Sequence, residues 1–351
     1  MMPLIEKIKF TDFRNYQNRE FIFDQNKVLL VGDNGVGKTN VLESIYFLSI
    51  LRSFRTNSVK EMIRLGQRSF CIEALLNLGK YREKIEITQY ANGKRALAID
   101  GKTISRASEF IYEFRAVVFV PEDREICAGS SQFRRRFFDM LISMLDLNYL
   151  ASLMNYNRGL MQRNKLIKVG ADGKLIAAFE KEMAANAVFI RAMRQKYAVL
   201  VELEVGKLLQ TAGDGDFAIR YAPEYPGDVK EYCREFDKIR DKELHRGFTL
   251  IGPHLDDFEL IFHGKNLRLY GSTGQIRIIS LLLKLAEFLL VKANDLHKTA
   301  VLVDDVTGDL DQRNTELFFS VIAGADQQFF TFTAENSLII DGETIDICVS
   351  P

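Results

Sequence analysis

A phosphate-binding loop is the clearest chemical feature of this 351-residue chain. The loop has the spacing Gly-x-x-x-x-Gly-Lys-Thr and lies between an apolar run and a stretch of helical periodicity. Its glycines let backbone N–H groups converge on phosphate, its Lys reaches the terminal phosphates, and its Thr hydroxyl is a ligand for Mg²⁺. The alternative, an ordinary glycine-rich turn, does not require those flanking elements. We therefore predict a nucleoside triphosphate site formed by Gly32, Asp33, Asn34, Gly35, Val36, Gly37, Lys38, Thr39 and Asn40.

A pair of carboxylates near the C-terminus fits the same chemistry. Residues 299–303 form a continuous apolar run, typical of a buried parallel strand, and Asp304 and Asp305 follow it directly. Open parallel sheets bind ligands beyond the carboxyl ends of their strands, so these carboxylates should lie beside Lys38. Asp304 would hold Mg²⁺ with Thr39, directly or through water, and Asp305 would polarise the attacking water. A solvated acidic turn at a strand end is the competing interpretation.

A second anion-binding helix start is predicted near residue 272. Ser272, Gly274 and Gln275 precede an apolar run with helical periodicity, and free N–H groups at such a start bind phosphate. Because the chain already has one phosphate loop, this second terminus could serve the nucleotide of a partner chain. An ordinary capped helix explains the same residues equally well.

The elements that position these residues form two regions. Alternating strands at 70–78 and 84–90, with turn dipeptides Asn92-Gly93 and Asp100-Gly101, predict an antiparallel sheet beside the nucleotide-binding sheet. Helical periodicity fills residues 132–213, and Pro223–Gly227 should lead back toward strands. The two ends of the chain must meet to complete one nucleotide site. We predict an α/β head from 1–120 and 245–351, with a mainly helical insertion at 121–244.

Charge is unevenly distributed, although the chain has 47 basic and 47 acidic residues. Residues 134–200 contain twelve Lys and Arg against five Asp and Glu, a net charge of +7. Phosphate neutralisation provides much of the affinity for duplex DNA, so basic clusters can bind DNA without a base-reading motif. A solvated helix face is the alternative. The candidate DNA-binding residues are Arg52, Arg55, Lys60, Arg64, Arg68, Arg158, Arg163, Lys165 and Lys168.

Compartment and membrane association follow from composition. The first residues do not resemble a signal peptide, and charged residues interrupt the longest apolar stretch, so no bilayer span is predicted. The four cysteines and four histidines show no metal-ligand or disulfide spacing. These observations favour a cytoplasmic protein without a membrane partner.

Motifs in a fixed order along the chain resemble the RecF family of bacterial recombination mediators, within the ABC-type ATPase superfamily that includes SMC heads. The resemblance covers the chain from end to end. The matching strings are Phe13-Arg14-Asn15-Tyr16, the phosphate loop with Asn40-Val41-Leu42-Glu43, Ser53-Phe54-Arg55-Thr56, Pro121-Glu122-Asp123, Arg134-Arg135 with Phe138-Asp139, Gln162-Arg163-Asn164, Gly252-Pro253-His254, Ser272-Thr273-Gly274-Gln275 with Lys284-Leu285-Ala286-Glu287, and Asp304-Asp305 with Leu310-Asp311.

The resemblance implies an ABC-type P-loop head, with a mixed parallel sheet and an antiparallel subsheet, that sandwiches ATP and Mg²⁺ between two subunits. Ser272 and Gly274 would form the signature motif that contacts the partner's γ-phosphate, so that Lys38, Asp305 and Ser272 are the catalytic residues. It also implies an ATP-dependent homodimer with weak, DNA-stimulated ATPase activity. Such a dimer would bind duplex or gapped DNA and, with RecR and RecO, assist loading of RecA in recombinational repair. Leu255, Ile276 and Gly308-Asp309 depart from the family pattern.

Two other classes remain as alternatives. A small-molecule kinase or nucleotide switch would share the phosphate loop, but it has no use for the signature-like Ser272 to Gln275, and no guanine-reading Asn-Lys-x-Asp string is present. Another SMC-like or phage-defence ATPase head would share most motifs. SMC proteins also require long heptad arms, for which the helical middle is too short.

Overall fold

The computed structural model describes residues 3–56, 58–111, 113–212, 215–294, 297–305, 311–332 and 342–347. The chain forms two compact units, Met1–Glu122 with Glu287–Pro351, and Asp123–Ala286. Its elements in chain order are β1 Ile5–Phe13, β2 Tyr16–Ile22, β3 Lys27–Val31, α1 Lys38–Ile50, β4 Ser69–Asn77, β5 Arg82–Tyr90, β6 Arg95–Ile99, β7 Lys102–Ile104, α2 Ala107–Ile111, β8 Arg115–Phe119, α3 Glu125–Ala128, α4 Ser131–Leu145, α5 Leu147–Lys168, α6 Gly173–Ala177, α7 Glu180–Ala212, β9 Phe217–Tyr221, α8 Val229–Arg246, β10 Phe258–Phe262, β11 Lys265–Asn266, α9 Leu267–Tyr270, α10 Thr273–Lys292, β12 Thr299–Asp304, α11 Gln312–Ile322, β13 Gln327–Phe332 and β14 Glu343–Asp346.

Two sheets build the first unit. A parallel sheet has the strand order β14-β3-β13-β12-β8, and an antiparallel sheet has the order β2-β1-β4-β5-β6-β7. The parallel strands β3, β12 and β13 are almost fully buried, as expected for strands covered on both faces. The pairing places β3, from the start of the chain, directly beside β13, from its end. The predicted meeting of the two chain ends is therefore confirmed.

The antiparallel sheet follows from its alternating sequence. Residues of β4 and β5 alternate between buried and partly exposed positions, which is the pattern of a sheet with one face on the core. The turn between β6 and β7 has positive φ at both Asp100 (47°) and Gly101 (75°), the geometry that a two-residue type I′ hairpin requires. The Gln327 side chain joins the two sheets because it accepts from the N–H of Ile5 (2.7 Å) and donates to its carbonyl (3.2 Å).

The second unit is mainly helical. Its long helices α5 and α7 pack on each other, and α4 packs on both. A three-stranded antiparallel sheet, β11-β10-β9, completes it, and Phe138 stacks on Phe258 of β10 with ring centroids 3.9 Å apart. The expectation that Pro223–Gly227 leads back toward strands is wrong, because the 18-residue helix α8 follows it. Asp228 caps that helix by accepting from the N–H groups of Lys230 and Glu231.

The limits of the compact units differ from the predicted domain limits at the return to the head. The predicted insertion ends at residue 244, whereas the second compact unit continues to Ala286. The physical reason is strand pairing, since β10 at 258–262 pairs with β9 at 217–221. None of the helices within the described residues has the length and apolarity needed to cross a bilayer.

Candidate nucleotide site

The phosphate loop joins β3 to α1, which begins at Lys38. No acidic residue lies in the first turn of α1, and Gly37 at its N-cap has no side chain to occupy the free N–H groups. These N–H groups and the positive end of the helix dipole suit a bound phosphate. Lys38 Nζ donates to the carbonyls of Gly32 (2.5 Å) and Asp33 (2.8 Å), so the ammonium group is folded over the loop.

Two glycines of the loop are required by close contacts as well as by backbone conformation. Gly37 has φ of 118°, and a Cβ there would lie 2.6 Å from the hydroxyl of Tyr16. Gly32 has φ of 154°, and its Cβ would lie 2.5 Å from the carbonyl oxygen of Ile347. Neither position has room for a side chain, so packing around the loop requires glycine at both of these positions of the motif.

Thr39 and Asp304 meet at the carboxyl ends of the parallel strands. Thr39 Oγ1 donates to Asp304 Oδ1 over 3.0 Å, and Thr331 Oγ1 of β13 donates to the same oxygen over 2.6 Å. Hydroxyl and carboxylate oxygens are the hard ligands that Mg²⁺ prefers, so this pair fits the predicted ion. The predicted proximity of Asp304 to the phosphate loop is confirmed.

Asp305 follows β12 and is exposed, with φ of 52°. Asp and Asn tolerate this left-handed backbone better than most residues. The conformation turns the chain sharply at the end of the strand. Asp305 is thus an exposed carboxylate next to Asp304. The neighbouring Gly308-Asp309, predicted as a departure from the family pattern, lies outside the described residues.

A hydrogen-bonded network behind the loop was missed as a functional feature by sequence reasoning. Asn15 Nδ2 donates to the carbonyl of Val36, and Asn40 Nδ2 donates to Asn15 Oδ1. Tyr16 donates to the carbonyl of Gly37 (3.2 Å), and burial raises the pKa of the Tyr16 hydroxyl, which keeps it protonated. The turn between β1 and β2 therefore holds the phosphate loop from behind.

The network continues into α1 through a buried ion pair. Arg14 forms a bidentate pair with Glu43, whose side chain is fully buried, and Ser53 also donates to Glu43. The guanidinium of Arg55 lies 3.5 Å from Glu43 and donates to Asn40 Oδ1. No local signal in the sequence links these positions. The contacts join separate sequence motifs that had been related to one another only by the family resemblance.

The signature-like segment belongs to the second unit and begins α10. Ser272 Oγ accepts from the N–H of Gln275, and Gln275 Oε1 accepts from the N–H of Ser272, a reciprocal capping box. The capped-helix interpretation of the sequence is therefore realised in the structure. Ser272 and Gly274 are exposed, and their role at a partner's nucleotide stays a prediction.

The candidate DNA-binding residues of the first unit differ in exposure and in whether they pair with a carboxylate. Arg52, Lys60 and Arg68 are exposed, whereas Arg55 is held by Asn40 and Glu43. Arg64 lies 3.6 Å from the carboxylate of Asp12. The first three side chains are accordingly the more available to phosphate.

Arg163 must be removed from the DNA-binding set. Its side chain is fully buried and donates to Glu180 (2.8 Å), Glu243 (2.5 Å) and Thr249 (2.8 Å). A guanidinium neutralised inside the protein has no access to a phosphate backbone. Arg158, Lys165 and Lys168, on the same helix α5, are exposed.

Burial also lowers the share of the +7 net charge of residues 134–200 that is available at the surface. Besides Arg163, Arg134 is buried and forms a bidentate pair with Asp257. Arg194 is buried too, between Asp139 and Asp256. Three of the twelve cations in 134–200 are thus neutralised within the second unit.

The fold and the site together define an ATPase head of the SMC class. A family model described as RecF/RecN/SMC N terminal domain matches residues 4–348. An SMC head domain from Pyrococcus furiosus shares the fold at a TM-score of 0.50, with 16% identity over 95% of this chain and 90% of that one.

Individual relatives narrow the class further. The DNA replication and repair protein RecF of Thermoanaerobacter sp. (strain X514) is 32% identical over 95% of both chains, and that of Clostridium tetani is 32% identical over 91% of this chain and 90% of its own. A structure of the recombination mediator RecF with ATP has a TM-score of 0.88 and 28% identity, covering 98% of this chain and 95% of that one. The chain belongs to the RecF family, and the predicted resemblance and fold class are confirmed.

Proposed function

We propose that this protein is an ATP-dependent DNA-binding ATPase of recombinational repair, active as a dimer. The observation that carries the proposal is the contact between Thr39 and Asp304, because it joins the phosphate loop to the acidic strand end in one site. Membership of the RecF family and the likeness to RecF structures with ATP support ATP as the nucleotide. The kinase alternative has no comparable support.

The nucleotide chemistry assigns a role to each residue at the strand ends. The N–H groups of residues 32–40 and the Lys38 ammonium bind the phosphates. Thr39 and Asp304 hold Mg²⁺, which neutralises charge on the phosphate oxygens when it is bound. The exposed Asp305 carboxylate orients and deprotonates the attacking water.

Dimerisation completes the site in the proposed mechanism. Ser272, Gly274 and Gln275 lie at an exposed helix start, where N–H groups favour anions. We assign this start to the γ-phosphate held by the partner subunit, with hydrolysis releasing the two heads. A site shared in this way makes hydrolysis slow in the monomer and dependent on what stabilises the dimer.

Arg52, Lys60 and Arg68 are the residues that we assign to DNA phosphates on the head. Arg55 and Arg64 have acidic neighbours and contribute less. DNA contact by the α5 cations Arg158, Lys165 and Lys168 remains a prediction. Stimulation of the ATPase by gapped DNA, and action with RecR and RecO on RecA, complete the proposal.

Size-exclusion chromatography with light scattering tests the proposal. The mass is compared in ATP and in ADP, each with and without gapped duplex DNA. We expect a dimer in ATP, a smaller species in ADP, and co-elution with DNA in ATP alone. A monomer under all four conditions, with ATP turnover unchanged by DNA, would contradict the proposal.

A further inference from the structure

Helix α5 carries an exposed stripe with coiled-coil spacing. Seven of its exposed positions are spaced alternately four and three residues apart, which keeps them on one side of the helix over its whole length. We name this stripe the α5 seam, and it comprises Leu147, Ala151, Met154, Arg158, Met161, Lys165 and Lys168.

The seam is not the face by which α5 joins its own core. Tyr149, Leu153, Tyr156 and Ile167 of α5 are buried, as is Arg163. This opposite face packs on α7, so the helix is already anchored. Leu147, Met154 and Met161 are nevertheless 41, 45 and 52% exposed, at intervals of one heptad. Apolar side chains recurring at heptad spacing along one helix face are the pattern by which one helix packs against another.

The charge on the seam has one sign. Helix α5 contains no Asp or Glu between Leu147 and Lys168. Within the part of the chain that the structure describes, Arg158, Lys165 and Lys168 form no ion pair with a carboxylate. The seam thus combines an apolar heptad stripe with three exposed cations that no carboxylate of the described residues pairs with.

We propose that the α5 seam binds an acidic amphipathic helix of a partner protein. Apolar side chains of that helix would pack against Leu147, Met154 and Met161. Its carboxylates would pair with Arg158, which lies between the two Met residues, and with Lys165 and Lys168, which follow Met161. Duplex DNA alone fits less well, because its phosphates would pair with the cations but would leave the repeated Met and Leu side chains exposed to water. Pairing of the seam with the α5 seam of a second copy would bring no carboxylate to these cations, since α5 has none.

The length of the seam sets the length of the partner segment. The 22 residues of α5 span about 33 Å at 1.5 Å per residue. A partner helix of about three heptads would cover it, with Leu or Ile at the core positions and Glu at the flanking positions.

The test measures binding of labelled helical peptides to the full chain by fluorescence anisotropy. The probe is a 22-residue peptide, equal in length to α5, with Leu and Ile at heptad core positions and Glu beside them. A peptide with Lys in place of Glu and a scrambled acidic peptide are the controls. We expect binding of the acidic helical peptide only.

Substitutions divide the apolar part of the seam from the charged part. Met154→Gln with Met161→Gln should weaken binding about tenfold through lost apolar burial. The matched control is Val199→Gln with Leu203→Gln on α7, whose side chains are 50 and 56% exposed, and it should leave binding unchanged. Reversing Arg158, Lys165 and Lys168 to Glu should switch the preference from the acidic to the basic peptide. Circular dichroism melting verifies that all variants are folded.

Several outcomes would overturn the proposal. The acidic peptide could fail to bind, or bind equally when scrambled. The α7 control could weaken binding as much as the seam variant does. Duplex DNA could bind when the peptide does not. If charge reversal then lowers the DNA affinity and the Met substitutions leave it unchanged, the seam is a DNA-binding surface instead. Sizing without nucleotide tests for self-association through the seam, and a dimer that Met154→Gln with Met161→Gln dissociates would also overturn the proposal.

Discussion

The hydroxyl of Thr39 and the carboxylate of Asp304 are 265 positions apart in the sequence and 3.0 Å apart between Oγ1 and Oδ1. The contact exists because β3 and β12 both pair with β13, so their carboxyl ends emerge at the same edge of one parallel sheet. Thr331 of β13 donates to the same carboxylate oxygen and fixes its orientation. A hydroxyl from the N-terminal part of the chain and a carboxylate from its C-terminal part thus form one candidate metal site.

Lys38→Ala is expected to abolish nucleotide binding. Lys38 is the cation whose Nζ folds over the carbonyls of the loop, and the Ala variant leaves the phosphates without it. Isothermal titration with ATP and Mg²⁺ measures the effect. Lys80→Ala, which removes an exposed Lys of the same unit, should bind ATP normally. Unaltered ATP affinity in Lys38→Ala would show that the nucleotide site lies elsewhere.

Asp305→Asn is expected to preserve ATP binding and slow hydrolysis by about 10²- to 10⁴-fold, the usual contribution of general acid–base catalysis. Asn is the appropriate replacement because it also tolerates the φ of 52° at this position. The variant should accumulate the ATP-bound dimer, measured by single-turnover hydrolysis and by sizing. Hydrolysis at the original rate would identify Asp305 as a solvated strand end.

Ser272→Arg is expected to leave ATP binding to the monomer intact and to block ATP-driven dimerisation, because the bulky side chain would meet the partner's γ-phosphate. Mixing it with Lys38→Ala chains leaves one intact composite site in each heterodimer. An equal mixture should regain up to about a quarter of the original ATPase rate if two equivalent sites are shared across a two-fold axis.

The control for Ser272→Arg is Asp228→Ala, which removes a helix cap from the same unit without adding bulk. It should dimerise normally, since the loss of a cap costs only about 1 kcal/mol of stability. If the mixture of Ser272→Arg and Lys38→Ala chains stays inactive while each chain folds, the shared site is refuted.

Replacing Arg52, Lys60 and Arg68 with Gln should weaken DNA binding and flatten the slope of log K against log salt by about 0.9 for each lost phosphate contact. ATP binding should be retained. The measurement is a salt titration of affinity for gapped duplex DNA. Gln at Lys80, Lys94 and Lys102 removes the same charge from other exposed positions of the unit. Equal losses in the two triple variants would indicate a general charge effect and no DNA surface at Arg52 to Arg68.

Arg163→Gln and Lys165→Gln should differ sharply, although the residues are two positions apart on α5. Arg163 is buried between Glu180 and Glu243. Its loss leaves the buried Glu243 carboxylate without its cation, while Glu180 keeps Arg240, at a cost of about 3–5 kcal/mol. Lys165 is exposed, and its replacement should change stability by less than about 0.5 kcal/mol. Urea unfolding midpoints compare the two variants. Equal midpoints would contradict the structural role of Arg163.

The geometry of the candidate nucleotide site was predictable from the sequence because it is encoded locally. The spacing of Gly32, Gly37, Lys38 and Thr39 specifies a backbone conformation and a helix start within a few residues. A buried strand ending in Asp304 and Asp305 likewise specifies which edge of the sheet these carboxylates occupy. The hairpin at Asp100-Gly101 was predictable for the same reason, since positive φ at both positions favours these residue types.

Only the tertiary structure decided which charged residues are available to a ligand. Arg163 and Lys165 look alike in a count of basic residues, but the turn of α5 points one into the acidic core formed with α7 and α8 and the other into solvent. Nothing local in the sequence pairs Arg14 with Glu43 either, because the turn between β1 and β2 meets α1 only in the folded chain. Burial and pairing depend on contacts between distant segments, and a charge pattern along the chain does not contain that information.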